Sequence, residues 1–217
     1  EIAADLQGRG SDGSDITSWV EVGPAGKRQM FSENYDGLIA EGDTSEPELA
    51  AFDDDLMFIM YTSGTTGLPK GVMHSHNTVT SSLHNVLATI EIGPRDHYLI
   101  VLPLFHVGAL MPAISSLYAG ATLVLMRQFD PTAMWQVIEN RKITTTLAVP
   151  AMLNFMLQVP EFEKHDWSSL RYILSGASPV PVALIHKYRE FDIDIQQVYG
   201  MTETCGPGCY IGGKDAI

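Results

Sequence analysis

The 29 residues from Tyr98 to Met126 carry no Asp, Glu, Lys or Arg, and this stretch constrains the fold more than any other. A run of that length can cross a bilayer as one helix. Its interior argues otherwise. "YLIVL" and "ATLVLM" are the β-branched and aliphatic runs of buried strands, and Pro103, Gly108, Pro112 and Gly120 interrupt the stretch as turns do. The reading is strand, buried helix, strand: a dry βαβ core and no transmembrane span.

The same alternation begins near Leu56. "LMFIMY" precedes a helix from about His76 that places Val79, Leu83, Val86, Leu87 and Ile90 on one face. Beyond the apolar run, Asp130 caps a helix whose first position is Pro131. "TTLAV", a short helix near 151–158, "LRYILS", a helix from Pro181 to Phe191 and "IDIQQVY" follow. Strands alternating with helices predict an α/β fold, a largely parallel sheet flanked by helices, over residues 51–217. Residues 1–50 read as an acidic, loop-rich lead-in with one strand at "TSWVEV" and a short helix at "NYDGLIA". The chain begins without Met and stops soon after its last motif, so it reads as an excerpt of something larger.

The formal net charge is −13, and residues 1–55 hold 14 of the 26 acidic side chains but 3 of the 13 basic ones. With no basic stripe to meet phosphates along a duplex, nucleic acid is excluded as a partner. Cys205 and Cys209 have no matching Cys or His pair, so their spacing makes neither a zinc site nor a disulfide framework, and a reducing, cytoplasmic setting fits. "HSH" at 74–76 is likewise given no metal role.

Ligands of α/β sheets bind beyond the carboxyl ends of strands, and the loops at 62–71, 175–179 and 199–203 occupy such places. The first, "YTSGTTGLPKG" from Tyr61 to Gly71, sets bare backbone amides beside the hydroxyls of Thr62, Ser63, Thr65 and Thr66, with Gly64, Gly67 and Lys70. Such a loop lets N–H groups, hydroxyls and one ammonium close on an anion, with phosphate as the natural guest. Pro69 before Lys70 and Gly71 after it break the usual P-loop pattern. In "VYGMTE", Tyr199 has a ring that can stack on a purine, Thr202 a hydroxyl for a phosphate oxygen, and Glu203 a carboxylate for Mg²⁺.

Taken together, "YTSGTTGLPKG" and "YGMTE", with "LPLFHVGAL" and "LSGASPVP" between them in order, resemble the adenylate-forming superfamily of acyl-CoA synthetases, luciferases and peptide-synthetase adenylation domains. The likeness runs from about Tyr35 to the end. It is closest to bacterial long-chain fatty-acid–CoA ligases, in "QFDPTAMW", "AVPAMLNFMLQVPEF" and "RYILSGASPVP".

The resemblance implies the central ATP-binding subdomain of the large N-terminal domain of such an enzyme. It implies ATP, Mg²⁺ and coenzyme A as cofactor and co-substrates, a small carboxylic acid as partner, and a C-terminal lobe that is absent. Thr62, Ser63, Gly64, Thr65, Thr66, Gly67 and Lys70 would cradle the β- and γ-phosphates. Gly176, Ala177 and Ser178 would wall the adenine, and Tyr199, Gly200 and Met201 would line its other side. Thr202 would meet the α-phosphate and Glu203 the Mg²⁺, while His106 would orient the acid or gate the thiol path. The methionines near 149–153 are expected to fill the core or to border an acyl tunnel.

Ser175, Ser178 and Val198 stand where relatives often carry glycine, proline and glycine, which bears on the shape of the adenine and acyl pockets. The alternatives are adenylation of an amino or aryl acid, or a non-catalytic nucleotide-binding module. Phe105 and His106, where amino-acid-activating relatives offer an Asp, stand against the amino acid.

Overall fold

A computed structural model describes residues 18–23, 32–63 and 67–216. The chain divides into two compact units, Glu1–Ala50 and Ala51–Ile217. In the first, β1 (Val20–Glu21) pairs in parallel with β2 (Glu33–Asn34), and α1 (Tyr35–Glu41) follows at once. The Asn34 side chain caps α1 by accepting from Gly37 N at 3.0 Å. The strand expected at "TSWVEV" is thus short, and Thr17 lies outside the described residues.

The second unit is built on β5 (His97–Ile100), β6 (Thr122–Leu125), β7 (Thr145–Leu147), β8 (Tyr172–Gly176), β9 (Ile195–Met201) and β10 (Gly206–Ile211). Among the described residues these form one sheet in the order β10-β9-β8-β7-β5-β6, all pairs parallel except β9–β10. The apolar run at 98–126 is therefore β5, α3 (Val107–Tyr118) and β6, and among the described residues no helix is long and apolar enough to cross a membrane.

Alternate residues of the buried strands face opposite layers. Leu99, Val101, Ile173 and Ile195 pack with α4 (Pro131–Arg141), α5 (Pro150–Leu157) and α6 (Val182–Arg189), through Trp135, Ile138, Leu153, Ile185 and Tyr188. Tyr98, Ile100, Tyr172 and Leu174 face the other way, toward α3 and α2 (His76–Thr89). Met152 and Met156 lie in the first of these cores and fill gaps there. The expected helix signals hold: Asp130 accepts from Ala133 N at 2.7 Å with Pro131 opening α4, and Val79, Leu83 and Val86 are buried on α2.

Two features depart from the sequence reading. "LMFIMY" is not a strand of the parallel sheet. It is β3 (Leu56–Thr62), which forms a separate antiparallel hairpin with β4 (Lys70–Ser75). β4 was hidden because "KGVMHS" is short and polar at both ends, and its glycine and lysine read as loop. The hairpin buries one face only: Met60 joins Val79, Leu83, Val107 and Met111, and His74 is buried with its ring 5.0 Å from Phe58. The second departure is β10, the antiparallel edge strand, where glycine and proline obscured a strand pattern.

Candidate active site

The order of the sheet decides where a cavity forms. The connection from β5 through α3 leads outward to β6, and the next, through α4, returns past β5 to β7, with α3 and α4 on opposite faces. The carboxyl ends of β5 and β7 consequently part, which is the crevice such sheets offer to ligands. A cavity of about 830 Å³ opens there, within the size range of small-molecule sites.

Three groups of side chains meet at this cavity. Thr62 and Lys70, directly paired across the β3–β4 hairpin, bring Ser63 with them. Gly176 and Ala177 follow β8, and Gly200, Met201, Thr202 and Glu203 end β9. His106 stands at the start of α3, as its N-cap residue. Residues from the three loops singled out in the sequence, about 140 positions apart at the extremes, thus share one space. Gly64, Thr65 and Thr66 lie outside the described residues.

Some expected residues are placed elsewhere. Tyr199 does not line the cavity: β-strand alternation turns it to the face opposite Val198 and Gly200, and it is 63% exposed. Ser178 is exposed in the turn beyond Ala177, and Gly67, at φ +96°, is exposed at the hairpin end; neither lines the cavity.

The backbone here is tightly determined. A Cβ on Gly176 would run into the carbonyl of Val198, and one on Gly200 into that of Gly206, so both strand ends approach their neighbours closer than any side chain permits. Ala177 then turns the chain at φ +66°, a left-handed conformation that costs an L-residue free energy. Cys205, at φ +55°, does the same after the Thr202–Thr204 turn. Its thiol is buried, and burial pushes it up from its usual range, which disfavours the thiolate.

The opposite wall was missed in the sequence. Leu102, Val107, Pro112, Leu147, Val149 and Val198 face the same cavity from scattered stretches of the chain, only Val107 and Pro112 sharing an element, α3, and no local pattern marks them. The result is one space with a polar rim of hydroxyls, one ammonium and one carboxylate, and an apolar wall. Glu203 is the single carboxylate among the described lining residues, and no cluster of three His, Cys, Asp or Glu that could hold a metal occurs among the described residues. One carboxylate beside hydroxyls fits a hard cation that arrives with phosphate oxygens and water, and does not fit a resident metal held by protein alone.

Comparison with known proteins agrees with this geometry. Residues 9–216 match the family described as AMP-binding enzyme. The long-chain-fatty-acid–CoA ligase FadD13 of Mycobacterium tuberculosis is 41% identical over 202 residues, covering 93% of this chain and 38% of that protein. The indoleacetate–CoA ligase of Aromatoleum aromaticum is 42% identical over 164 residues, 74% of this chain and 32% of its own length. The inhibitor-bound crystal structure of the N-terminal domain of FACL13 from M. tuberculosis superimposes with a TM-score of 0.80 at 44% identity, covering 84% of this chain and 47% of that one. The chain thus spans about a third of the length of the two ligases and just under half of that N-terminal domain. With the fold, the loops and nearly the whole chain in agreement, it belongs to the AMP-binding enzyme family.

Proposed function

We propose that residues 51–217 form the nucleotide-binding core of an enzyme that activates a carboxylic acid with ATP and passes the acyl group to coenzyme A, residues 1–50 being the segment that leads into it. The carrying observation is the two-sided cavity: Thr62, Ser63, Lys70, Thr202 and Glu203 on one rim, and Leu102, Val107, Leu147, Val149 and Val198 on the other.

In this reading a carboxylate oxygen of the acid forms a bond to the α-phosphorus of ATP while the bond from that phosphorus to pyrophosphate breaks. Negative charge grows on the leaving oxygens, and Lys70 with the Thr62 and Ser63 hydroxyls receives it. Thr202 donates to the α-phosphate. Glu203 would hold Mg²⁺, which supplies neutralising charge on the phosphates. Gly176 and Ala177 offer a flat backbone wall to the adenine. In the second step the thiol sulfur of coenzyme A bonds to the acyl carbon and AMP leaves, with His106 at the mouth of α3 orienting the acyl group.

The apolar wall supports an aliphatic acid, a fatty acid foremost, and the similarity to FadD13 points the same way. An aryl acid is the second reading, favoured by the likeness to indoleacetate–CoA ligase. An amino acid would need a carboxylate for its ammonium group, and Glu203 belongs to the phosphate rim.

Acid-dependent exchange of pyrophosphate into ATP tests this, run on the longest form of the protein that its source encodes with fatty and aryl acids of graded size. Exchange with fatty acids is expected, and Lys70→Ala should lower it about 10²–10³-fold. Lys70 is exposed, so that variant should unfold at the wild-type temperature. No exchange with any acid would end the ligase reading; exchange with aryl acids alone would move the substrate to the second class.

A further inference from the structure

Thr202 and Glu203 have little to hold them in place by themselves. They occupy a single 3-10 turn, Thr202–Thr204, after which the chain must reverse into β10 through two left-handed residues, Cys205 at φ +55° and Gly206 at φ +112°. A strained reversal persists only where its surroundings over-determine it. Two hydroxyls do so here.

The Thr204 hydroxyl oxygen sits 3.1 Å from Met201 N, which donates to it, and 3.0 and 2.6 Å from the carbonyl oxygens of Met201 and Gly206, either of which can take its proton. It therefore ties the residue before the turn to the residue after it. From outside the turn, Ser82 on α2 donates its hydroxyl to the Cys205 carbonyl at 2.8 Å. Ser82 is buried beside the Met60, Val79, Leu83, Met111 and Cys205 cluster, where an alanine would serve packing as well and a hydroxyl without a partner would cost free energy. Met111 of α3 completes the seat. Its Sδ lies 3.7 Å from the Cys205 Sγ, and a Cβ on Gly206 would stand 3.4 Å from the Met111 Cβ and Cγ.

The origin of Ser82 matters. Its helix begins at His76, directly after β4, the strand that starts with Lys70. One buried hydrogen bond across 123 positions thus joins the element continuous with the phosphate-facing hairpin to the turn that presents Thr202 and Glu203.

We propose that Ser82 and Thr204 are positioning residues: together they fix the Thr202–Glu203 turn at a set distance from the Thr62–Lys70 hairpin, so that both rims meet one triphosphate. The consequence for catalysis rests on the function proposed above, while the fixing of the turn does not.

The experiment separates the two. Amide hydrogen exchange is followed by mass spectrometry on this chain, and nucleotide-dependent pyrophosphate exchange on the longest encoded form. In Ser82→Ala, amides of residues 201–206 should exchange about 10-fold faster, as expected when one hydrogen bond of a local opening is lost, while β8 stays as in wild type. The Mg·ATP concentration at half-maximal activity should rise about 5–10-fold. Thr204→Val should reproduce both changes and Thr204→Ser should restore them, because serine keeps the hydroxyl and valine keeps only the shape. Tyr188→Phe is the control: it removes a buried hydroxyl-to-carbonyl bond of 2.9 Å to Leu153, away from the cavity, and should move neither readout. Wild-type exchange in the turn of Ser82→Ala, or an equal change in Tyr188→Phe, overturns the proposal. If Ser82→Ala does not fold, the Thr204 pair decides it. A wild-type protein without pyrophosphate exchange would remove the ligase reading and leave the amide-exchange result to judge the turn.

Discussion

The two ends of the parallel sheet are built on opposite terms. Beyond the carboxyl ends of β8 and β9 the backbone turns through left-handed residues, Ala177 and Cys205, close to the cavity. Before the amino ends of β5, β7 and β8 one network gathers charged and polar groups. Arg171, the residue before β8, reaches Asp96 before β5 with three bonds of 2.9–3.1 Å, and the carbonyl and carboxylate of Glu91 at 2.7 and 3.2 Å. Asp96 also accepts from Thr144 before β7 at 2.7 Å and from Gly93 N at 2.8 Å. Tyr172 closes the set by donating to the Glu91 carbonyl at 2.6 Å. One guanidinium and one carboxylate thus fasten three neighbouring strands where no ligand is expected. The stability gathered at this end offsets the left-handed residues and open polar rim at the other.

Breaking the fastened end should therefore cost stability without touching the site. Arg171→Met leaves Asp96, its side chain 11% exposed, without its cation. Removing one member of a buried pair costs about 3–5 kcal/mol, and because Arg171 is itself over a third exposed the expected loss is about 2–3 kcal/mol. Urea midpoints report that loss, and Mg·ATP binding to the folded variant should match wild type. A shift in binding as large as the shift in stability would mean that the two ends are not separate.

The same network carries a pH signature of smaller size. Burial alone would raise Asp96, but hydrogen bonds from Thr144, Gly93 and Arg171 outweigh it and hold the carboxyl below 3.8. A group lowered on folding contributes stability above its unfolded value, and that contribution disappears as pH falls from about 4 through the folded value. Asp96→Asn should lose about 1–2 kcal/mol at neutral pH and show a shallower fall below pH 4 than wild type, read from unfolding midpoints between pH 6 and 2. Parallel profiles would remove Asp96 as the source.

These contrasts explain what could be read from the sequence. The parallel sheet and its helices were legible because the strands in "YLIVL" and "LRYILS" are buried on both sides, so their patterns are dictated by the core, and "ATLVLM" keeps an aliphatic run although its strand edges the sheet and leaves Leu125 exposed. The hairpin was not, because β3 and β4 bury one face and leave Met57, Ile59, Tyr61 and Met73 exposed, giving an apolar run that mimics a buried strand. At the site, the hydroxyls, Lys70 and Glu203 announced themselves through residue types concentrated in short loops. The apolar wall did not: Leu102, Leu147 and Val198 meet only because β5, β7 and β9 end side by side at the switch point, which no local pattern encodes. Arg171 and Asp96, 75 residues apart, were invisible for the same reason.

The finest test of the comparison sets one left-handed residue at each end against the other. Ala177 turns the chain beside the cavity at φ +66°, and Lys142 closes α4 at φ +48° on the way to the amino end of β7. A left-handed L-residue costs about 1–2 kcal/mol, which glycine relieves, while the looser unfolded chain takes back about 0.5–1 kcal/mol, so each substitution to glycine should gain about 0.5 kcal/mol. Lys142 also gives up an exposed ion pair with Asp166, which is worth little. In stability the two variants should therefore look alike. They should part in ligand binding. Gly176 already offers the loop a residue without a side chain, and the Ala177 methyl is what restricts the next pair of torsions, so Ala177→Gly should weaken Mg·ATP binding about 2–3-fold through the added freedom, and Lys142→Gly should leave it unchanged. Calorimetric titration beside thermal unfolding distinguishes the cases. If Ala177→Gly instead lowers stability by more than about 1 kcal/mol, the methyl is held there by packing, and the strain at the carboxyl end belongs to Cys205 and its hydroxyl seat alone.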